Sequence, residues 1–140
     1  MELLVTCRRH FAASHRLYSD QLDEATNLEI YGKCAWKNGH GHNYVIEVTV
    51  RGTPDPITGF VIPPAELVRI VDERVVDRVD HRHLNHDIDF LQGDVPTAEL
   101  LARRFFEQLE PYLSGLTRVT LHETPKNVAI YGEPETGEGR

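Results

Sequence analysis

The chain has 140 residues, 40% of them hydrophobic and 26% charged, and its formal net charge is −7; this is the composition of a globular protein of one domain. The negative charge disfavours non-specific attraction to nucleic acid or to an anionic membrane, and no stretch approaches the ~18 apolar residues of a membrane span. We therefore predict neither nucleic acid nor a membrane as a partner. A single domain over residues 1–140 is expected, and a chain of this size would bury further surface by self-association.

The chain has two cysteines, Cys7 and Cys34, which cannot make a disulfide framework. Its first ten residues contain no basic segment followed by an apolar run, so we expect no signal peptide. Both features predict a reducing, cytoplasmic location.

Alternating apolar residues predict a strand over residues 3–15, with His15 at its end on the apolar side. Residues 16–39 are irregular and polar and are predicted to form a long loop, a type of segment that is commonly functional. A second strand is predicted over 42–51, followed by a turn at 55–59.

Apolar residues at helical spacing predict a helix that begins at Pro63–Pro64, and a second that begins near Thr97 and ends near Pro111 or Gly115. Two short strands follow, over 116–123 and 127–131. The order ββααββ predicts an α+β fold, in which a four-stranded antiparallel sheet carries two helices on one face. Residues 132–140 are rich in Gly, Pro, Glu and Thr and are predicted to form a flexible tail.

The sequence Gly39-His40-Gly41-His42-Asn43 carries the clearest chemical pattern. Two imidazoles at positions i and i+2 of a strand project to the same face, and the flanking glycines leave room for an ion. His15 is the natural third ligand if the first two strands pair. Three histidine ligands and one open position are typical of catalytic Zn²⁺, although a lone His-x-His spacing also arises by chance.

Cys34 is separated from His40 by five residues and allows three interpretations. It could complete a closed Cys-His₃ zinc site in a non-catalytic module. Its thiolate could instead act as a base, or the thiol could be inert, as we expect for Cys7.

Four further positions also allow a functional interpretation. Asp80 could orient His81 or tune its basicity. Glu123 is either a solvated carboxylate at a strand end or an acceptor for two N–H groups of a flat heterocycle. Thr97 and Glu99 suit the start of a helix, as N-cap and as a favourable first-turn charge, whether or not they also meet a ligand.

Together these motifs resemble the 6-pyruvoyl-tetrahydropterin synthase family, and the likeness extends from about residue 8 to residue 132. The matching segments are 11–18, 32–34, 38–44, 55–59, 80–81, 84–85, 96–99 and 122–124. The resemblance implies a tunnelling-fold subunit, of which three form a barrel and two barrels stack as a homohexamer. It also implies a role for each candidate residue: zinc on His15, His40 and His42, Cys34 as the base, Asp80 and His81 as its helpers from a neighbouring subunit, and Glu123 as the pterin anchor with the segment of Thr97 and Glu99 nearby.

The implied reaction belongs to tetrahydrobiopterin biosynthesis. It converts 7,8-dihydroneopterin triphosphate to 6-pyruvoyl-tetrahydropterin, eliminates triphosphate and turns two side-chain hydroxyls into ketones. A related branch, the 6-carboxy-tetrahydropterin synthases of deazapurine biosynthesis, shares the zinc histidines. The five residues between Cys34 and His40 favour the pyruvoyl branch. Leu100 favours the carboxy branch, because it stands where pyruvoyl enzymes usually have asparagine.

Overall fold

Two thirteen-residue strands, β1 (Leu3–His15) and β2 (His40–Gly52), form the centre of the sheet. The computed structural model describes residues 1–135. Its other strands are β3 (Arg82–His83), β4 (Leu116–Thr124) and β5 (Asn127–Gly132). The helices are α1 (Glu24–Tyr31), α2 (Pro64–Val71), α3 (Asp77–Val79) and α4 (Ala98–Leu109). A π-helical turn (Asp72–Val76) joins α2 to α3 without a break.

The strand order is β3-β1-β2-β4-β5. β1, β2, β4 and β5 pair antiparallel, as predicted, whereas β3 pairs parallel to β1 at Ala13 and Ser14. The α+β class is therefore confirmed, and the prediction of four antiparallel strands is wrong: the described residues form a five-stranded mixed sheet. A strand of two residues is too short for its side chains to show an alternating pattern.

Helix α1 lies inside the segment that we predicted to be a loop. Its buried residue is Asn27, so no apolar stripe marks it as a helix. The Asn27 amide instead accepts a hydrogen bond from the Ser19 N–H and donates to the carbonyls of Ser19, Leu22 and Asp23 at 3.0–3.2 Å. Asp23 caps the helix by accepting from the Thr26 N–H at 2.7 Å. Polar contacts therefore order this segment.

The core lies between one face of the sheet and the helices. Side chains of β2 alternate, so that Tyr44, Ile46, Val48 and Val50 are all buried on the helix side. The helices contribute Leu67, Val71, Leu101 and Phe105 among others. The opposite face of the sheet is polar: the hydroxyls of Thr6 and Thr49 bond at 2.8 Å, and Glu47 accepts a hydrogen bond from His122.

The end of the chain is held by β5 as far as Gly132. The next residue, Glu133, donates its N–H to the Thr117 carbonyl and pairs with Arg51 at 2.6 Å. The last five residues of the predicted tail, 136–140, lie outside the described residues. No helix within residues 1–135 has the length and apolar character that a bilayer crossing requires.

Candidate metal and active site

Three imidazoles converge where β1 ends and β2 begins. The strand register places His15 opposite His40, and His42 lies two residues further on the same face of β2. The ring centroids are 4.7 Å apart for His15 and His40, 5.2 Å for His15 and His42, and 4.8 Å for His40 and His42. One nitrogen of each ring lies within 4.8 Å of the others, so the group could hold a metal ion.

Two glycines allow the strands to approach at this point. A Cβ atom on Gly39 would lie 2.6 Å from the His15 carbonyl oxygen, and the residue has φ +69°, where side chains are disfavoured. A Cβ on Gly41 would lie 3.2 Å from the Ala13 carbonyl oxygen. The glycines that flank His40 therefore allow the backbone of β2 to lie against that of β1.

His15 is fully buried and held at both ring nitrogens. Its Nδ1 lies 2.9 Å from the Pro96 carbonyl and 3.3 Å from the Tyr44 hydroxyl, and its Nε2 lies 3.1 Å from Nε2 of His40. Burial lowers the pKa of His15, because the charged ring would lose its hydration. A neutral ring that donates from Nδ1 to Pro96 keeps the lone pair on Nε2 for a metal.

His42 has a buried nitrogen without a hydrogen-bond partner. Within residues 1–135 no group bonds its Nε2, and the nearest carboxylate oxygen, from Glu123, lies 3.7 Å away. Burial also lowers the pKa of His42, so its ring is held neutral as well. A buried polar atom without a partner is costly, and a cation between the three rings would remove that cost. Neutral imidazole nitrogens are a suitable donor set for Zn²⁺.

Cys34 lies near this group but is not part of it. It sits half-buried in a short 3₁₀ turn, Gly32–Ala35. The Leu17 N–H donates to the Cys34 carbonyl and the Arg16 Nε to the Ala35 carbonyl, both at 2.8 Å, which ties the turn to the end of β1. In the part of the chain that the structure describes, the cluster of potential ligand atoms contains the three imidazoles alone. This arrangement contradicts a closed Cys-His₃ site.

Asp80 and His81 form a pair at the edge of β1. The Ala12 N–H donates to Asp80 at 2.9 Å and thereby lowers the pKa of this carboxyl, whose other oxygen lies 3.0 Å from Nδ1 of His81. His81 has φ +61°, which is uncommon for a residue with a side chain, and its side chain is 83% exposed. The structure does not bring this pair into the imidazole cluster of the same chain.

Beside this pair lies a cavity of about 580 Å³. His81 lines it together with Ser14, Gly41, His42 and Asn43, of which Ser14 and Asn43 lie on the face of the sheet away from the helices. The exposed side chain of His81 therefore borders an open cavity of this chain.

Glu123 lies next to the cluster, as its distance from His42 indicates. Its side chain is only 13% exposed, and it accepts a hydrogen bond from the Asn127 amide at 3.3 Å. A solvated carboxylate at a frayed strand end is therefore the wrong interpretation of this residue. Thr97 is the N-cap of α4 and accepts from the Leu100 N–H at 3.3 Å, as predicted, while Glu99 is exposed in the first turn.

Comparison with known proteins identifies the family. The family described as 6-pyruvoyl tetrahydropterin synthase matches residues 4–134. The chain belongs to this family.

Individual members are similar along nearly the whole length. A Caenorhabditis elegans protein named putative 6-pyruvoyl tetrahydrobiopterin synthase is 44% identical over 133 residues, which cover 91% of this chain and 94% of the relative. The human 6-pyruvoyl tetrahydrobiopterin synthase is 40% identical over 129 residues, covering 91% and 89%. The solved structure of the C. elegans 6-pyruvoyl tetrahydropterin synthase superposes with a TM-score of 0.90 at 41% identity and covers 96% of this chain and 97% of that one.

Several residues that support the synthase site lie in the matching segments but were given no role from the sequence. Asn85 donates to the carbonyl of Arg16 and accepts from its N–H, both at 2.8 Å, and so fixes the residue that follows His15. Pro96 and Tyr44 contact His15 itself. The available signal was the tyrosine on the buried side of β2, since a buried hydroxyl needs a partner.

We predict that Gly39→Ala weakens metal binding by the three imidazoles and destabilises the fold by more than Gly59→Ala. Gly59 also has a positive φ, +80°, but a Cβ atom there would meet no atom within 4 Å. The loss of stability in Gly59→Ala therefore measures only the cost of placing a side chain at a positive φ, about 1–2 kcal/mol. Gly39→Ala adds the collision with the His15 carbonyl. Zinc affinity by chelator competition and urea unfolding at fixed protein concentration measure both effects. Equal effects of the two substitutions would show that the strand approach at Gly39 does not set the imidazole positions.

Proposed function

We propose that this protein is a zinc-dependent lyase that converts 7,8-dihydroneopterin triphosphate to 6-pyruvoyl-tetrahydropterin and releases triphosphate. The observation that carries the proposal is the convergence of three imidazoles on one point, one of them with a buried nitrogen that lacks a partner among the described residues. Family membership supplies the pterin substrate, and the names of the relatives favour the pyruvoyl product over the carboxy product.

In this proposal His15, His40 and His42 hold the zinc ion. Bound zinc would polarise the side-chain hydroxyls of the substrate and so acidify the neighbouring C–H bonds. Three protein ligands leave one position of a tetrahedral ion for the substrate. The low pKa values of His15 and His42 support this role, because a neutral ring needs to lose no proton before it binds a cation.

Cys34 is proposed as the base that removes the carbon-bound proton. Its turn is tied by two hydrogen bonds to the residues that follow His15, which holds the thiol at a constant place relative to the metal ligands. Loss of a proton from one carbon and of triphosphate from the next is an elimination. The elimination leaves an enol, which tautomerises to one of the two ketones. The other hydroxyl becomes a ketone as two electrons and two protons move to a C=N bond of the dihydropterin ring, which becomes a tetrahydropterin, so no separate redox cofactor is required.

Glu123 is proposed to accept N–H groups of the pterin ring. A carboxylate offers two parallel acceptor oxygens, which suits the paired donors of such a heterocycle. The mostly buried carboxylate of Glu123 lies 3.7 Å from Nε2 of His42. A pterin ring bound to this carboxylate would therefore place the side chain of the substrate beside the metal ligands. Thr97 is the N-cap of α4 and Glu99 lies in its first turn. Both are proposed to lie near the substrate because Pro96, the residue before the N-cap, contacts His15.

We propose further that each active site is shared between two subunits of a homohexamer. Asp80 and His81 do not join the cluster of their own chain, and the side chain of His81 is 83% exposed, with Asp80 as its polar partner among the described residues. The pair would therefore assist proton transfer at the cluster of a neighbour.

The edges of the sheet support this association. β5 pairs only with β4, and β3 covers β1 only at its end, so residues 3–11 have one unpaired side within the described sheet. Val128 and Ile130 are 43% and 45% exposed on β5, and Leu3 and Leu4 are 48% and 49% exposed on β1. Unpaired strand edges with exposed apolar residues favour edge-to-edge pairing between chains, which suits a barrel of three subunits.

We predict that Cys34→Ala keeps the zinc content and melting temperature of the parent but releases no triphosphate. The substitution removes the base without removing a metal ligand. Cys7→Ala is the matched control, because it deletes the other thiol, which lies in the core, and should retain turnover. Turnover by Cys34→Ala would reject its role, and loss of zinc would indicate that sulfur is a ligand. Identification of the parent's product by mass completes the assay, since a carboxylated pterin would move the protein to the carboxy branch.

We predict that two inactive variants, Cys34→Ala and His81→Ala, recover activity when they are co-expressed. If Cys34 and His81 act on one substrate from different chains, random mixing restores roughly a quarter of the sites. The control mixes Cys34→Ala with His42→Ala, two residues proposed to serve a site from the same chain, and should recover nothing. The absence of recovery in the first mixture, or recovery in the second, would contradict the shared site.

A further inference from the structure

One edge of the His15 ring is held by two oxygens. The Pro96 carbonyl lies 2.9 Å and the Tyr44 hydroxyl 3.3 Å from Nδ1. The other ring nitrogen, Nε2, lies 3.1 Å from His40. His15 and Tyr44 are both fully buried, so neither contact competes with bulk water.

The Pro96 carbonyl is free to accept this hydrogen bond. In α4 the hydrogen-bond ladder begins at the Thr97 carbonyl, which accepts from the Leu101 N–H at 2.9 Å. Pro96 precedes the helix and is buried, so its carbonyl needs a donor from elsewhere in the fold. His15 supplies one, and the bond links this metal-ligand candidate to the start of α4.

The Tyr44 hydroxyl is not explained by packing. The ring of Tyr44 stacks on Phe11 with centroids 4.8 Å apart and planes 10° apart, and Phe11 in turn contacts the edge of Phe105. A phenylalanine at position 44 would fill the same space and avoid the cost of a buried hydroxyl. Among the described residues, Nδ1 of His15 is the hydrogen-bond partner of this hydroxyl.

We propose that Tyr44 is a positioning residue of the metal centre, which fixes the tilt of the His15 ring so that Nε2 faces the point shared with His40 and His42. A ring held by one hydrogen bond can still rock about that bond. The Tyr44 oxygen is a second acceptor for the same Nδ1–H and restricts this motion, and the aromatic stack beneath Tyr44 keeps its hydroxyl in place. The inference rests on the proposed function, because it assumes that the three imidazoles bind zinc.

The test compares Tyr44→Phe with the parent as purified oligomers. We expect zinc to bind about tenfold more weakly, the lower end of the effect of groups that orient a metal ligand. Competition with a chromophoric chelator measures the affinity, and the visible spectrum of the Co²⁺-substituted protein should shift with the ligand geometry. The melting temperature of the zinc-free variant should stay close to that of the parent, because Nδ1 keeps the Pro96 carbonyl as its partner.

Thr49→Val is the matched control. It removes another buried hydroxyl of β2, which bonds Thr6 far from the cluster, and should leave zinc affinity and the Co²⁺ spectrum unchanged. Parent-like zinc affinity in Tyr44→Phe, or an equal loss in both variants, would overturn the role of Tyr44. A parent protein that binds no zinc would instead overturn the proposed metal centre, and this inference with it.

Discussion

The antiparallel register of β1 and β2 is the constraint on which the site depends. Thirteen pairs of residues align the strands from Leu3 and Gly52 to His15 and His40. Side chains alternate between the two faces of a sheet, so a slip of one residue would turn His40 and His42 away from His15. The same slip would expose the buried apolar residues of β2. The free energy of core packing that fixes the register of β1 and β2 therefore also keeps the three imidazoles together.

This arrangement places polar nitrogens where the core would otherwise be apolar. His15 is compensated by Pro96 and Tyr44, whereas Nε2 of His42 has no hydrogen-bond partner in the described part of the chain. A cation that binds the folded chain but not the unfolded chain would stabilise the folded state by mass action. Metal binding and the pairing of β1 with β2 are thus expected to stabilise each other. The hydrogen bonds of Asn27 and Asn85 hold the segments beside the site in place.

The features predicted correctly from the sequence are those that a pattern over a few neighbouring residues defines. The alternation in β1 and β2, the caps of α4 and the histidine pair at 40 and 42 are all visible over a few residues. Helix α1 was missed because one buried amide, Asn27, orders it, and β3 because two residues show no period. The contacts of Tyr44 and Pro96 with His15 span 29 and 81 residues, so the sequence alone gives no means of pairing them. The separation of Asp80 and His81 from their own cluster is likewise a property of the folded sheet.

X-ray absorption at the zinc edge of the purified protein tests the central claim most directly. The account predicts stoichiometric zinc, whose nearest neighbours are the nitrogens of three imidazoles and one exchangeable light atom at about 2.0–2.1 Å. A protein without zinc would contradict it, as would a sulfur neighbour at about 2.3 Å, which would mean that a thiolate permanently fills the position reserved for the substrate.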